Sequence, residues 1–557
     1  MRERLISWLC SDRGWRAAGY TIAAVACMAA LCCLGYSIPK PLLGPHNFRQ
    51  TQNAISSYYG VHEHGSMFNN FMPVLGRPWD LPTEFPLFQY LAGCAHWCTG
   101  CPLDAAGRTL SIAFWLAAVA VGLLLLRALD VERRDLWIPV VILLSSPLYL
   151  FWGATYMMET MALFLAMSFL YCVVRCSMAV TRGTGAWTEA PSTSPASFWP
   201  WCAGALGAGL IAALQKGSTW IIAFGIAILI VGWAVRCLGI RRAVVLNLWV
   251  LPLFALPYIV AHKWFEYGDT LKRDNPFVRD MFMFANPKFR AWNYGTFDQK
   301  ANTETWSVIA AHMRESLFVA IPPFNHLAIV VLLVAGAILS RKRRPQIAAL
   351  LAGFAAGPLV FTNLYYVHNY YLSATGIWLL LALSLAIVGL AEMWPARRWP
   401  RLVAMILTLV VGCAGFWTWA NSFLPILRSF PTHAQLRAAW TEPVQRIVPS
   451  PRTLLILGDD WNPTALYYAE RKGIAWPDDM LGEFPGARFT AATALLHEDE
   501  AIGAVVFHPR LATEANSAAI SKILDELGMS KDGTPTPFGM LFPALDLAQA
   551  ARDSTPR

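Results

Sequence analysis

Between residues 17 and 423 the chain alternates apolar runs of about the length of a bilayer crossing with short polar links, and arginine marks the ends of alternate runs. A helix needs roughly 20 mainly apolar residues to cross the hydrocarbon core, and every backbone polar group must be satisfied within it. The runs are too long and too continuously apolar for the short alternating strands of a barrel. Composition agrees: 56% of residues are hydrophobic and 14% charged, against about 25% charged in soluble domains. One soluble domain, a disordered chain and a coiled coil are excluded. A net charge of +9 would suggest a nucleic-acid partner in a soluble protein. Here the arginines that set membrane topology account for it, and no nucleic acid is expected.

The expected fold is an α-helical polytopic membrane protein of about eleven spans, near 17–37, 107–127, 136–152, 160–179, 199–214, 218–235, 243–261, 324–340, 346–362, 372–391 and 402–423. Arg2, Arg4, Arg13 and Arg16 precede the first, which is too long for a cleavable signal and reads as an uncleaved span. Basic groups follow alternate spans: Arg127, Arg133 and Arg134; Arg175 and Arg182; Arg236, Arg241 and Arg242; Arg341, Lys342, Arg343 and Arg344; Arg397, Arg398 and Arg401. The positive-inside rule puts these loops and the N-terminus in the cytoplasm. The link 181–198, rich in Ser, Thr and Pro, reads as a flexible connector. Segment 85–101 is apolar, but it is short and holds Pro86, Gln89 and His96. It is expected to lie in the interface, because a crossing there would put every later arginine cluster on the wrong side.

With that topology, chemistry belongs on the outer face. The first outer loop, 38–106, reads GPHNFRQTQNAISSYYG and later MPVLGRPWDLPTEFPLFQY, gathering His46, Arg49, Gln50, Gln52, Asp80 and Glu84. Glu159 stands at the mouth of the fourth span, where a carboxylate is costly to bury and is a functional candidate by default; the helix dipole offers a structural explanation for an acid at that place. Lys216, in ALQKGSTW, is a cation on the face the orientation rule leaves poor in cations, so an anion is a candidate partner. The 262–323 loop is long, aromatic and basic, with Lys272 and Arg273 among its cations, and is expected to form an ordered lid. TNLYYVHNYYL places His368, Tyr370 and Tyr371 at the entrance to the tenth span, where tyrosine also serves as an interfacial anchor.

After about residue 425 the transmembrane pattern ends. Domains are therefore expected at 1–424 and 425–557, the second a small periplasmic α/β domain. TLLILGDD reads as a buried strand and turn, PTALYYAERKG as a helix stopped by Gly473, and AIGAVVFHP as a second strand. Asp459, Asp460 and Trp461 follow a strand end, where open α/β sheets bind ligands; a helix cap is the alternative. All twelve cysteines precede Thr418, with no secreted disulfide pattern. Cys94, Cys98 and Cys101, with His96 between them, lack a second ligand pair of zinc spacing and are expected to pack as small apolar thiols.

This layout resembles the GT-C glycosyltransferases, above all the bacterial enzymes of the protein-mannosyltransferase and aminoarabinose-transferase type, including those that decorate lipopolysaccharide. The likeness spans nearly the whole chain in layout and short stretches in motif. It implies transfer of a sugar, with inversion, from a polyprenyl-phosphate donor to a glycan, glycolipid or lipopolysaccharide acceptor at the outer face of the cell inner membrane. Glu159 matches the family's second acidic position, and EFPL at 84–87 matches the start of its surface helix. QKG at 215–217 and HNYY at 368–371 also fall on family positions. Where relatives carry an acid after the first span, this chain has Arg49 and Gln50. A swap of charges would restore the set, with Glu84 as carboxylate and Arg49 as cation. The resemblance then makes Glu84 or Glu159 the catalytic base. His46, Arg49, Gln50, Asp80, Lys216, Lys272, Arg273, His368, Tyr370, Tyr371 and Asp460 would bind substrate. No nucleotide-binding glycine fingerprint is present, so no nucleotide cofactor is expected, while a divalent metal stays open. Two rival readings are a flippase for a polar lipid, which would need mid-span polar residues and an internal repeat, and a membrane-anchored binding protein.

Overall fold

The computed structural model describes residues 11–63, 66–181, 198–236, 240–317, 325–393 and 399–553. Arg2, Arg4, Arg182, Arg397, Arg398, the side chains of Arg241 and Arg242, most of the 181–198 link and the end of the 262–323 loop lie outside the described residues.

The apolar runs are helical. Six helices are long and apolar enough to cross a membrane by length and composition: Asp12–Ser37, Leu103–Ala128, Glu159–Val180, Phe198–Gln215, Asn369–Glu392 and the run that begins at Trp399. Gly217–Gly232 and Val330–Leu339 are shorter apolar helices, so an exact count of eleven spans is not established. The run expected at 136–152 departs from one continuous span, forming Trp137–Leu144 and Pro147–Trp152. The cause is local. Proline forces the preceding residue out of the helical region, and Ser146 is extended at ψ 119, its carbonyl accepting the amides of Tyr149 and Leu150 at 3.1 and 2.9 Å. Gly415 closes on this break; a Cβ there would sit 2.1 Å from the Ser145 carbonyl oxygen.

The chain divides into two compact units. The first comprises Met1–Ile38, Arg108–Trp264 and Arg290–Arg428. Its central helix, Leu372–Glu392, is buried along nearly its whole length. Small residues let neighbours approach, as in membrane helix pairs generally: a Cβ on Gly336 would lie 2.4 Å from that of Ala386, and one on Gly353 2.4 Å from Ile226. At one end of this unit Arg343 is wholly buried and fully engaged. It bonds both oxygens of Glu392, at 3.1 and 2.6 Å, and donates to the carbonyls of Leu129 and Asp130. Three links of the chain are thereby tied to one guanidinium.

The second unit comprises Pro39–Gly107, Phe265–Phe289 and Ser429–Arg557. Its five-stranded sheet has the order β2-β1-β3-β5-β4, from β1 Thr453–Leu457, β2 Gly473–Ala475, β3 Ile502–Phe507, β4 Thr534–Thr536 and β5 Gly539–Pro543. The first three are parallel, with Leu455 opposite Ile474 on one side and Val505 on the other; β5 and β4 run antiparallel. All five residues of β1 are buried, the signature of a strand covered on both faces. The edge at β2 is not open. Residues 73–76 lie antiparallel to it, with bonds from Gly473 and Gly76 at 3.2 Å and Ala475 at 2.7 Å. Asn275 adds to this seam, donating to the carbonyls of Leu75 and Gly76 at 3.1 Å and accepting the amides of Phe277 and Val278 at 3.0 Å.

Gly473 does not stop a helix as expected. Thr464–Ala469 ends four residues earlier, at a left-handed Glu470, and Gly473 opens β2. A side chain at 473 would lie 2.3 Å from the Leu454 carbonyl oxygen, so glycine there sets the strand spacing. The helix Leu87–Thr99 is 13 residues, about 20 Å, too short to cross a core of about 30 Å. Its cysteines are not packed thiols: Cys98 is exposed, Cys94 and Cys101 are partly so, and His96 Nδ1 bonds the Cys101 carbonyl at 2.6 Å. The loop from residue 262 is ordered over its described part. Helix Ile240–Lys272 runs on through its start, and Pro287–Tyr294 and Thr303–Ser316 follow.

Removing the Arg343 side chain would strand the Glu392 carboxylate and two carbonyls. Arg343→Ala is expected to destabilise the protein by about 1–3 kcal/mol, the usual cost of leaving buried polar groups without their donor, since Glu392 itself is partly exposed. Thermal unfolding in detergent measures this, and an unchanged midpoint would contradict it.

Candidate active site

Two clusters hold most of the sequence-selected residues, one in each unit. In the first unit Glu159 is the opening residue of helix Glu159–Val180, where an acid meets the positive end of the helix dipole. The loop that delivers it is held from helix Leu103–Ala128: Arg108 donates to the Ala154 carbonyl at 2.7 Å, and Ser111 to that of Met157 at 3.1 Å. Lys216 stands in the one-residue joint between helices Phe198–Gln215 and Gly217–Arg236. Its ammonium pairs with Glu159 Oε1, and the two side chains are 3% and 2% exposed. The same ammonium lies 4.5 Å from the ring centre of Tyr371 and 5.5 Å from that of Tyr370, within cation–π range. Tyr370 and Tyr371 stack at 4.8 Å, and His368 stacks on Tyr370 at 5.3 Å. Five residues chosen singly from the sequence thus form one constellation.

In the second unit Arg49 pairs with Glu84 and donates to Gln52 Oε1 at 3.0 Å. Arg49 lies on helix Asn47–His62 and Glu84 just before Leu87–Thr99. Lys272 is buried and gives a hydrogen bond to the Phe282 carbonyl at 2.9 Å, with Asp269 at 3.7 Å. Burial pulls its pKa down to about 8, against the opposing pull of Asp269 and Glu84. Asp269 was not foreseen; it accepts the amides of Phe284 and Ala285 at 2.8 and 3.0 Å and orders the following turn.

The other selected residues are placed differently. His46 starts helix Asn47–His62 in the left-handed region, its carbonyl taking the amides of Arg49 and Gln50 at 3.0 and 3.1 Å. Gln50 is buried and donates to the Pro45 carbonyl at 3.2 Å. Asp80 is half-buried, which raises its pKa. Arg273 is exposed and forms no ion pair among the described residues. Asp460 is left-handed and does not cap the following helix; it and Asp478 exchange carboxylate-to-amide bonds at 3.1 and 3.2 Å, joining the loops after β1 and β2. Beside it Asp459, raised to about 6 mainly by burial, faces His508 at 3.7 Å and Arg510 at 3.9 Å, two groups the sequence reading did not select. Among the described residues no group of three or more His, Cys, Asp or Glu could hold a metal ion.

No protein-family model matches the chain, and no curated protein matches it. Solved structures do. ArnT from Cupriavidus metallidurans bound to undecaprenyl phosphate is 14% identical with a TM-score of 0.57, over 97% of this chain and 99% of that one. Its apo state is 13% identical at the same score, over 97% and 100%. The arabinofuranosyltransferase AftD from Mycobacteria is 14% identical with a TM-score of 0.51, over 95% of this chain and 40% of that one. At these identities the likeness is one of fold, and the fold is that of the GT-C membrane glycosyltransferases.

Lys272 gives this site a pH signature. Between pH 8 and about 10.4, the ordinary lysine pKa, the unfolded chain holds a proton that folded Lys272 has released, so stability rises with pH across that window. Lys272→Met is expected to lose this rise. Unfolding midpoints measured from pH 7 to about 10.5 for both proteins decide it, and parallel curves would refute the assignment.

Proposed function

Taking the GT-C fold as premise, we propose that this protein transfers a sugar from a polyprenyl-phosphate donor to a glycan or glycolipid acceptor, lipopolysaccharide included, at the outer face of the bacterial inner membrane. The observation that carries the reading is the buried Glu159–Lys216 pair under Tyr370 and Tyr371. A structural ion pair is weak support for stability, since desolvation offsets most of its attraction. One that leaves a carboxylate oxygen without a hydrogen-bond partner is better suited to taking a proton. Glu159 Oε2 is such an atom.

The reaction places few demands on the protein. The acceptor hydroxyl gives its proton to Glu159, its oxygen attacks the anomeric carbon from the face opposite the phosphate, and the bond between that carbon and the phosphate oxygen breaks. The electron pair leaves on polyprenyl phosphate, and the sugar is inverted. Lys216 holds Glu159 in place. Within the second unit, Arg49, whose forked donors suit phosphate, and the buried Lys272 form a separate candidate anion site. Glu84 orients Arg49. Likeness to a structure bound to undecaprenyl phosphate supports a lipid donor of that class.

Glu159→Gln keeps the shape and removes the base. Transfer in isolated membranes should fall by about 10²–10⁴-fold, the usual worth of a positioned base, with the protein still inserted. Mass spectrometry of envelope glycolipids, with and without the gene, supplies the assay, since a missing sugar mass identifies donor and acceptor. Undiminished turnover in Glu159→Gln would defeat the assignment.

A further inference from the structure

Helices Glu159–Val180 and Phe198–Gln215 are consecutive and pack closely: a Cβ on Gly204 would lie 3.0 Å from Cys172 Sγ, and one on Gly209 3.0 Å from the Phe169 ring. One end of this hairpin is occupied by the ion pair, since Glu159 opens the first helix and Lys216 directly follows the second. The opposite end carries chemistry that the proposed mechanism does not use. Cys176 Sγ and Cys202 Sγ are 3.5 Å apart, and both are free thiols. Each stands about one helical turn from the end of its helix, Cys176 before Val180 and Cys202 after Phe198. Cys176 is 3% exposed, whereas Cys202 is only half-buried. The same turn is fixed from beside the thiols. Arg175 donates to the Tyr171 hydroxyl at 3.0 Å and lies 4.6 Å from the ring centre of Trp201, and Tyr171 and Trp201 meet edge-on at 5.5 Å. Two residues of one helix thus hold the segment of the other that presents Cys202.

Sulfurs 3.5 Å apart are already in contact, and about 1.5 Å of further approach reaches the bonded distance of roughly 2.05 Å. Small side-chain rotations supply that much. We propose that Cys176 and Cys202 are a dithiol–disulfide couple, closed by a small-molecule disulfide, that staples helices Glu159–Val180 and Phe198–Gln215 at the end away from Glu159 and Lys216. The thiolate of Cys202, the more exposed of the two, attacks one sulfur of the oxidant and expels the other as a thiol. The thiolate of Cys176 then attacks the Cys202 sulfur of this mixed disulfide and expels the second thiol. The pair gives up two electrons and two protons, and the oxidant's disulfide takes them to become two thiols. An excess of small thiol runs the exchange backwards. Open, the hairpin is held at this end by packing alone; closed, it is bound by the ion pair at one end and a covalent bond at the other. Cys172 is the rival partner, on the same face as Cys176 one turn further along, where it meets Gly204. None of this depends on the sugar-transfer reading.

The test uses the full-length protein in detergent, fully reduced, freed of reductant and then exposed to oxidised glutathione. After alkylation of the remaining thiols and digestion, non-reducing mass spectrometry should find the Cys176 and Cys202 peptides joined and two hydrogens lighter than their sum. Dithiothreitol should restore both to alkylation. The oxidised protein should unfold roughly 2 °C or more above the reduced one, because the cross-link restricts the unfolded chain. Cys176→Ser and Cys202→Ser should each lose the linked peptide and the rise in midpoint, while Cys172→Ser keeps both. Comparison of oxidised with reduced wild-type protein needs no variant, so a serine variant that fails to fold leaves the test intact. Three results would overturn the proposal: Cys202 joined chiefly to Cys172 or to a second chain, Cys202 halted as a glutathione adduct with Cys176 still alkylated, or a Cys176–Cys202 bond that leaves the midpoint unmoved.

Discussion

A lysine and a glutamate, each withdrawn from water, meet where three helix ends come together, and much of the first unit is arranged so that they can. Desolvating two such ions costs several kcal/mol apiece, recovered only if the geometry is fixed from all sides. Glu159 is fixed by its place at a helix start and by a loop pinned to Arg108 and Ser111. Lys216 is fixed because the chain breaks its helix for one residue and resumes. The aromatic rings of Tyr370 and Tyr371 close over the ammonium and replace part of its lost hydration. Without the break at residue 216, two apolar helices would run on as one, and the lysine would have no reason to lie where it does.

The second unit solves a related problem with different means. Its carboxylate and cations come from segments far apart in sequence: Arg49, Glu84 and Lys272 are placed by three separate helices or their approaches. Lys272 is buried with one carbonyl and one carboxylate near it, and this incomplete compensation leaves its charge sensitive to pH within an accessible range. The carboxylates after β1 show the same tension, with Asp459 raised by burial and faced by a histidine and an arginine at long range.

What could be read from the sequence follows from the range of the forces involved. Helices were legible because a bilayer imposes a length that a run of apolar residues either has or lacks, and β1 and β3 because each is a short, mainly apolar run between turn residues. The break at Ser146 was hidden by unbroken hydrophobicity on both sides, although the Ser-Ser-Pro triplet was its signal. Strands β2, β4 and β5 are short and carry no pattern of their own. Glu159 and Lys216 stood out singly, as charges at the ends of apolar runs, but 57 residues separate them and nothing local announces their pairing. The Arg49–Glu84 pair had a partial signal, a charge swap suggested by the resemblance, and the two do meet. Asp269, His508 and Arg510 carried none.

The short stretch 73–76 that lies along β2 belongs to the first loop of the chain, while its partner at 473–475 is made some four hundred residues later. During synthesis that stretch must remain unpartnered while almost every membrane helix is laid down, and the sheet keeps a raw margin until the two are united. Maturation of the second unit is therefore deferred to the closing phase of translation, and a tail produced in isolation would present β2 as an adhesive border open to other chains.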